Sequence, residues 1–142
     1  MATAKFEKDI KVDIKKLFQV IIRYEDYPKF VDGCTEVRVE SRKPPKTRVF
    51  YKVSKMKEIE YTLEHEELES EGVIRWTLVS SNAFKKNSGR WTLKDLGGGK
   101  VHVDYEVDID FSIPVPGFVL KKLIAGSLPD MVQGFVDYAN RK

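Results

Sequence analysis

The run Val101-His102-Val103-Asp104-Tyr105-Glu106-Val107-Asp108-Ile109-Asp110-Phe111 alternates apolar and polar residues without a break. Successive side chains of a strand point to opposite faces, so this run has one buried and one wet face, as strands of antiparallel sheets do. Working upstream, Gly97-Gly98-Gly99 reads as a turn, because glycine alone tolerates the left-handed backbone of tight reversals. Before it, Trp91 and Leu93 form one inward row, and Ile74, Trp76 and Leu78 another after Gly72. Ile59, Tyr61, Leu63 and His65 share a parity opposed by Glu58, Glu60, Glu64 and Glu66, and Val49, Tyr51 and Val53 precede them. No Gly or Pro lies between Val53 and Ile59, so either a reversal falls at Lys55–Lys57 or one long bent strand runs through. Lys43-Pro44-Pro45-Lys46 closes the strand that carries Val37 and Val39.

Outside this block the period becomes helical. Asp13 is placed to cap a helix over about 14–23, whose apolar face holds Leu17, Val20, Ile21 and Tyr24. A weak strand pattern at Lys5–Val12 precedes it, and a short helical turn at Glu25–Val31 follows. Downstream, Pro114, Pro116 and Gly117 break the chain. Leu120, Ile124, Leu128, Met131, Phe135 and Tyr138 then make a stripe to the C-terminus, with a kink or restart expected at Pro129, capped by Ser127 and favoured by Asp130. The expected fold is α+β: a curved antiparallel sheet of six or seven strands wrapped around a long C-terminal helix, with two short helices after the first strand.

With 142 residues the chain suits a single domain over 1–142, and 42% hydrophobic against 33% charged residues excludes disorder. A net charge of +3 with interspersed signs does not by itself indicate nucleic-acid binding. One cysteine, Cys34, excludes an internal disulfide and a thiolate metal cage, and with two histidines no dedicated metal site is expected. The charged start lacks a signal peptide's apolar core, and the apolar stretch Phe111–Leu120 is too short and too broken to span a bilayer, so a cytoplasmic protein is expected.

The inward rows bring Tyr51, Tyr61, Trp76, Trp91 and Tyr105 to face Ile124, Met131 and Phe135 of the terminal helix. Aromatic walls with hydroxyl tips suit a pocket for a largely apolar small molecule. The same rings packed on one another would leave no cavity, and periodicity does not separate the two cases.

The segment Arg23-Tyr24-Glu25-Asp26-Tyr27-Pro28-Lys29-Phe30-Val31-Asp32-Gly33-Cys34 resembles the Tyr-Pro-x-Phe segment of the coenzyme Q-binding and polyketide cyclase-like branch of the START-like, helix-grip superfamily. Phe84–Leu93 resembles the Phe…Trp strand of the same families, and the ending Met131–Ala139 is similar to their last helical turns. The chain departs from many members in having Arg23 where they have Asp, and Asp32-Gly33 where they have Pro-Trp. The resemblance implies a deep hydrophobic cavity between sheet and terminal helix.

His65 shares parity with Tyr61 and Leu63, so it points inward as a ligand hydrogen-bond partner, a general base, or a satisfied structural group. His102 lies on the wet parity, and Cys34 reads as a packing residue. Ser-His-Asp, HExxH and P-loop patterns are missing, and no cofactor is expected. Arg42, Lys43, Lys46, Arg48 and Lys52, with Lys85, Lys86 and Arg90, form a solvated charged face or a patch for RNA or a ribosome, as in a toxin branch resembling the same family. Phe118, Lys121 and Lys122 make a candidate membrane contact at the cavity mouth. The expected function is carriage or chaperoning of a hydrophobic small molecule such as a lipid, isoprenoid quinone or polyketide-like ring system. Tyr51, Tyr61, His65, Trp76, Trp91, Tyr105, Phe118, Ile124, Met131 and Phe135 are the ligand-binding candidates. The alternatives are a cyclase or dehydratase working through His65, and a ribosome-associated interaction module.

Overall fold

The computed structural model describes residues 2–31, 33–54, 58–112 and 127–141. Strand β1 (Ala2–Lys11) leads into helix α1 (Ile14–Ile22), a 3-10 turn (Tyr24–Asp26) and the short helix α2 (Tyr27–Phe30). Six strands follow: β2 (Cys34–Lys43), β3 (Lys46–Ser54), β4 (Glu58–Leu68), β5 (Val73–Ser81), β6 (Phe84–Gly97) and β7 (Lys100–Phe111). Helix α3 (Ser127–Asn140) closes the described chain. All seven strands form one antiparallel sheet in the order β1-β7-β6-β5-β4-β3-β2, so every consecutive pair from β2 to β7 is a hairpin and β1 returns beside β7. This is the expected helix-grip arrangement.

Local chemistry accounts for the boundaries. The Asp13 carboxylate accepts from the Lys16 N–H at 3.0 Å, satisfying an orphan donor of the first turn. Gly97, Gly98 and Gly99 all have positive φ in the β6–β7 reversal. Ser54 pairs with Glu58, so the chain reverses between β3 and β4 rather than bending as one strand; residues 55–57 themselves lie outside the described residues.

The apolar face of the sheet is covered by α1 and α3, which also pack on each other. Leu17, Ile21, Tyr24, Val49, Ile74, Val101, Val103, Val132 and Val136 are fully buried there.

Three expectations are corrected. The first strand begins at Ala2 rather than Lys5, because it pairs with β7 from Ile109 to Lys100. Helix α1 ends at Ile22, with Arg23 as its cap. The buried face of α3 is centred on Leu128, Val132, Phe135, Val136 and Ala139, with Met131 and Tyr138 half-buried at its edges, since the helix contacts α1 as well as the sheet. Strand β6 starts at Phe84, as the resemblance of Phe84–Leu93 to a family strand implies; the apolar row alone shows only Trp91 and Leu93, because the inward positions Asn87 and Gly89 carry no apolar side chain. Pro129 stands in the first described turn of α3, and the kink or restart expected there turns on residues outside the described ones. The Pro114–Gly117 break, the helical stripe at Leu120 and Ile124, and the Ser127 cap lie outside the described residues and side chains.

Candidate functional site

Seven of the ten binding candidates come together on the apolar face of the sheet and α3. Trp91 and Tyr105, on neighbouring strands, meet edge to face at 4.9 Å, and Tyr105 lies 5.5 Å from Trp76. Phe135 reaches down from α3 to Trp91 at 5.1 Å. Tyr51 and Tyr61 stack at 5.1 Å, and His65 sits beside Tyr51 and Trp76. Met131 is half-buried at the edge of this group, while Phe118 and Ile124, like Lys121 and Lys122, lie outside the described residues.

His65 is the polar centre of the arrangement. It is 5% exposed, and its Nε2 lies 2.6 Å from the Tyr51 hydroxyl. The Tyr24 ring stacks on the imidazole at 4.4 Å. Burial disfavours the imidazolium and lowers the His65 pKa to about 3, so the ring is neutral at pH 7. Burial likewise holds the hydroxyls of Tyr51, Tyr61 and Tyr105 protonated, well above the usual tyrosine range. His65 Nδ1 is buried and has no hydrogen-bond partner among the described residues.

Several members of this network escape a reading of the sequence alone. The Tyr24 hydroxyl donates to Glu67 at 2.6 Å, and the Thr47 hydroxyl donates to the other oxygen of the same carboxylate at 3.2 Å. The parity of Tyr61, Leu63 and His65, extended one step, would have placed Glu67 inward. Trp76 Nε1–H donates to Asn87 at 3.1 Å, a buried polar pair without a periodic signal. Tyr27 and Phe30 meet Phe135 at 5.1 and 5.0 Å, so the short helix after α1 also covers this end.

The inward rows change character along the sheet. At the end under α1, Tyr24, Val49, Leu63, Ile74, Trp91 and Phe135 are buried. Towards the other end the inward residues Ile59, Tyr61, Leu78, Phe84, Ile109 and Phe111 are only half-buried. Rings continue into that end: Tyr61 meets Phe84 at 5.2 Å, and Phe84 meets Phe111 at 5.0 Å. A half-exposed aromatic surface continuous with a buried polar pair can hold an apolar molecule and orient it.

The outer face has a different composition. One register row crosses all seven strands through Lys43, Lys46, Glu66, Arg75, Arg90, Glu106 and Lys5. Arg75 bonds Glu66, Arg90 bonds Glu106 at 3.1 Å, Arg48 bonds Glu64 at 3.5 Å and Lys86 bonds Asp108 at 2.6 Å. Much of the basic cluster is thus neutralised across strands, as the solvated-face reading expects. A groove of about 420 Å3 opens on this face where β5 and β6 part after Trp76 and Gly89. Arg75, Thr77, Ser88, Arg90 and Glu106 line it, and of the ten binding candidates it includes Trp76 alone.

His102 is on the wet face, with Nδ1 at 2.6 Å from Asp9 and Nε2 at 3.3 Å from Glu7, and these hydrogen bonds raise its pKa. Cys34 is buried, and desolvation pushes its thiol up to about 11, so it is a poor nucleophile at neutral pH. Among the described residues no helix is long and apolar enough to cross a membrane.

Comparison with known proteins adds a family. Residues 10–136 match the profile described as polyketide cyclase / dehydrase and lipid transport. The mitochondrial coenzyme Q-binding protein of Schizosaccharomyces pombe is 26% identical over 133 residues, covering 89% of this chain and 79% of that protein. The ribosome association toxin RatA of Escherichia coli is 24% identical over 121 residues, covering 85% of this chain and 76% of the toxin. Among solved structures, a START superfamily protein from Mycobacterium smegmatis superposes with a TM-score of 0.84 at 16% identity, covering 98% of this chain and 97% of that one.

Proposed function

The chain belongs to the polyketide cyclase/dehydrase and lipid transport family, START-like in its helix-grip fold, and from that premise we propose that it is a non-catalytic carrier of a largely apolar small molecule. The ligand lies on the apolar face of the sheet, against α3, within one binding domain spanning 1–142. The observation that carries this reading is the half-buried row Tyr61, Leu78, Phe84, Ile109 and Phe111, an apolar surface that the described core does not cover. Burying apolar area contributes about 25 cal/mol per Å2, so roughly 300 Å2 would supply about 7 kcal/mol before the costs of association. That suffices for retention without reaction chemistry.

The coenzyme Q-binding relative supports a lipid-like cargo, and the Tyr51–His65 pair supplies the orienting polar group. Membrane contact through Phe118, Lys121 and Lys122 belongs to the same reading. Charge reversal at both lysines should slow ligand transfer between anionic vesicles, and unchanged rates would remove the membrane step. The main test is Nile red binding together with native mass spectrometry of the purified protein. Tyr61→Glu should weaken the dye at least about tenfold by placing a charge against it, while far-UV circular dichroism is unchanged. Equal dye affinity in both proteins would refute the placement.

One observation favours a second reading. His65 is neutral and hydrogen-bonded to Tyr51, so a proton can pass between the Tyr51 hydroxyl and Nε2, the relay a cyclase or dehydratase would use. The burial that lowers the His65 pKa to about 3 nevertheless makes the imidazole a weak base. In that case His65→Ala abolishes turnover of a polyketide-type substrate while binding survives. A ribosome-facing role has weaker support, because Arg48, Lys86 and Arg90 are engaged by carboxylates; it predicts binding that falls steeply with salt.

A further inference from the structure

The Tyr51–His65 pair constrains its own protons. A neutral imidazole carries one N–H donor and one acceptor nitrogen, and a tyrosine hydroxyl can donate or accept. If the hydroxyl donates to Nε2, the ring's proton sits on Nδ1, and one buried group, the Nδ1–H, is left unmade. If instead Nε2–H donates to the hydroxyl, both the hydroxyl proton and the Nδ1 lone pair are left unmade. Nε2 is the one described partner of that hydroxyl, so the first arrangement loses one group where the second loses two.

Among the described residues no acceptor lies within hydrogen-bond reach of Nδ1. His65 is enclosed by the stacked Tyr24 ring at 4.4 Å and by Trp76 at 6.1 Å. The Tyr24 and Thr47 hydroxyls are turned to Glu67, to which both donate, and neither lies within hydrogen-bond distance of Nδ1. Buried donors are nearly always paired, so an orphan on the ring at the centre of the aromatic face points to a group that arrives from outside.

We propose that His65 determines ligand specificity: Tyr51 holds its proton on Nδ1, and that N–H is offered to one acceptor oxygen, a carbonyl, on an otherwise apolar ligand. This rests on the apolar-carrier reading and names the ligand chemistry of that site. A pure hydrocarbon would leave the donor unpaired and is disfavoured; a ligand presenting only a donor there is rejected.

1-Tetralone and tetralin share a skeleton and differ by one carbonyl. Their affinities for the full chain and for His65→Leu, from equilibrium dialysis, isolate the contact. The tetralone-to-tetralin preference should fall about tenfold in His65→Leu, the worth of a buried hydrogen bond. It should be largely kept in His65→Asn, whose amide nitrogen takes the place of Nδ1. In 15N-histidine spectra of the unmodified protein, which need no variant to fold, His65 should show the Nδ1–H tautomer, and its proton should shift with tetralone and not with tetralin. An Nε2–H tautomer, an Nδ1 proton unmoved by tetralone, or the same preference in His65→Leu overturns the proposal while leaving the carrier reading standing. Binding of neither probe up to its solubility limit overturns both.

Discussion

Replacing Gly89 by alanine puts one methyl group where the sheet has no room for it. Gly89 lies on β6 opposite Trp76 of β5 and Val107 of β7, on the inward face. A Cβ built there would stand 2.6 Å from Trp76 Cζ2 and 3.1 Å from Cε2, and closer still to the carbonyl oxygen of Glu106. The indole cannot swing away freely, because its Nε1–H is bonded to Asn87. The Glu106 carbonyl is backbone of the paired strand, so relief requires β6 and β7 to separate locally. Overpacking in a core costs about 1–3 kcal/mol, and a clash with both a fixed ring and a backbone oxygen belongs at the upper end, about 3 kcal/mol. For a chain of this length that lowers Tm by roughly 10 °C. Urea denaturation followed by tryptophan fluorescence measures the loss and reports directly on Trp76. Adding Trp76→Leu should recover only part of it, since the backbone contact remains. A loss below about 1 kcal/mol would show that the strands open at no cost, and would refute the close packing from which the argument starts.

Gly134→Ala is the matching control with the opposite sign: among the described residues its Cβ would meet only the Phe30 carbonyl, at 3.8 Å, so removing glycine from the interior of α3 should stabilise by about 0.5–1 kcal/mol in the same denaturation assay. His65 has its folded pKa depressed to about 3, so between pH 6.5 and 3 the unfolded chain takes up a proton that the folded protein refuses. Stability should therefore fall as pH drops through that window, by on the order of 4 kcal/mol, and the fall should be shallower in His65→Asn. His102 behaves oppositely: Asp9 and Glu7 raise its pKa, so its contribution is complete below the unfolded value near 6.5 and disappears as pH rises through the folded one. An NMR titration should place its midpoint above that value, and Asp9→Asn should bring it down.

Strand identity was legible wherever one face is dry and the other wet, as along Val101–Phe111, because alternation is a direct image of the pleat. The β3–β4 reversal was ambiguous because Lys55–Lys57 carries no turn residue; only the pairing of Ser54 with Glu58 decides it. Alternation alone under-reads β6, which only its resemblance to a family strand marks from Phe84, for a physical reason: the inward space at Gly89 is filled by the indole of Trp76 from the next strand, so no apolar residue marks it. Side chains that fill a neighbour's position are invisible to a pattern that scores each residue in its own.

The site was half legible for a related reason. Val107 and Ile109 are adjacent inward positions of one strand with nearly the same chemistry, yet the first is buried and the second is not. Parity says which way a side chain points and nothing about whether another element lies over it. The candidate binding surface begins where the cover of the described helices stops, so it is a property of how α1 and α3 lie on the sheet rather than of any strand's composition. The polar centre follows the same logic: His65 could be placed inward by parity, but its nitrogen is an orphan because Tyr51, Tyr24 and Trp76 arrive from three other elements and, among the described residues, no acceptor comes within reach of Nδ1. A core that served stability alone would gain by placing leucine at position 65, which leaves nothing buried and unpaired there except the Tyr51 hydroxyl. His65→Leu with Tyr51→Phe removes that remainder too, so the double variant should be at least as stable as the natural chain while losing its preference for a carbonyl-bearing ligand. Loss of stability instead would mean that the pair is held for the fold and not for a guest.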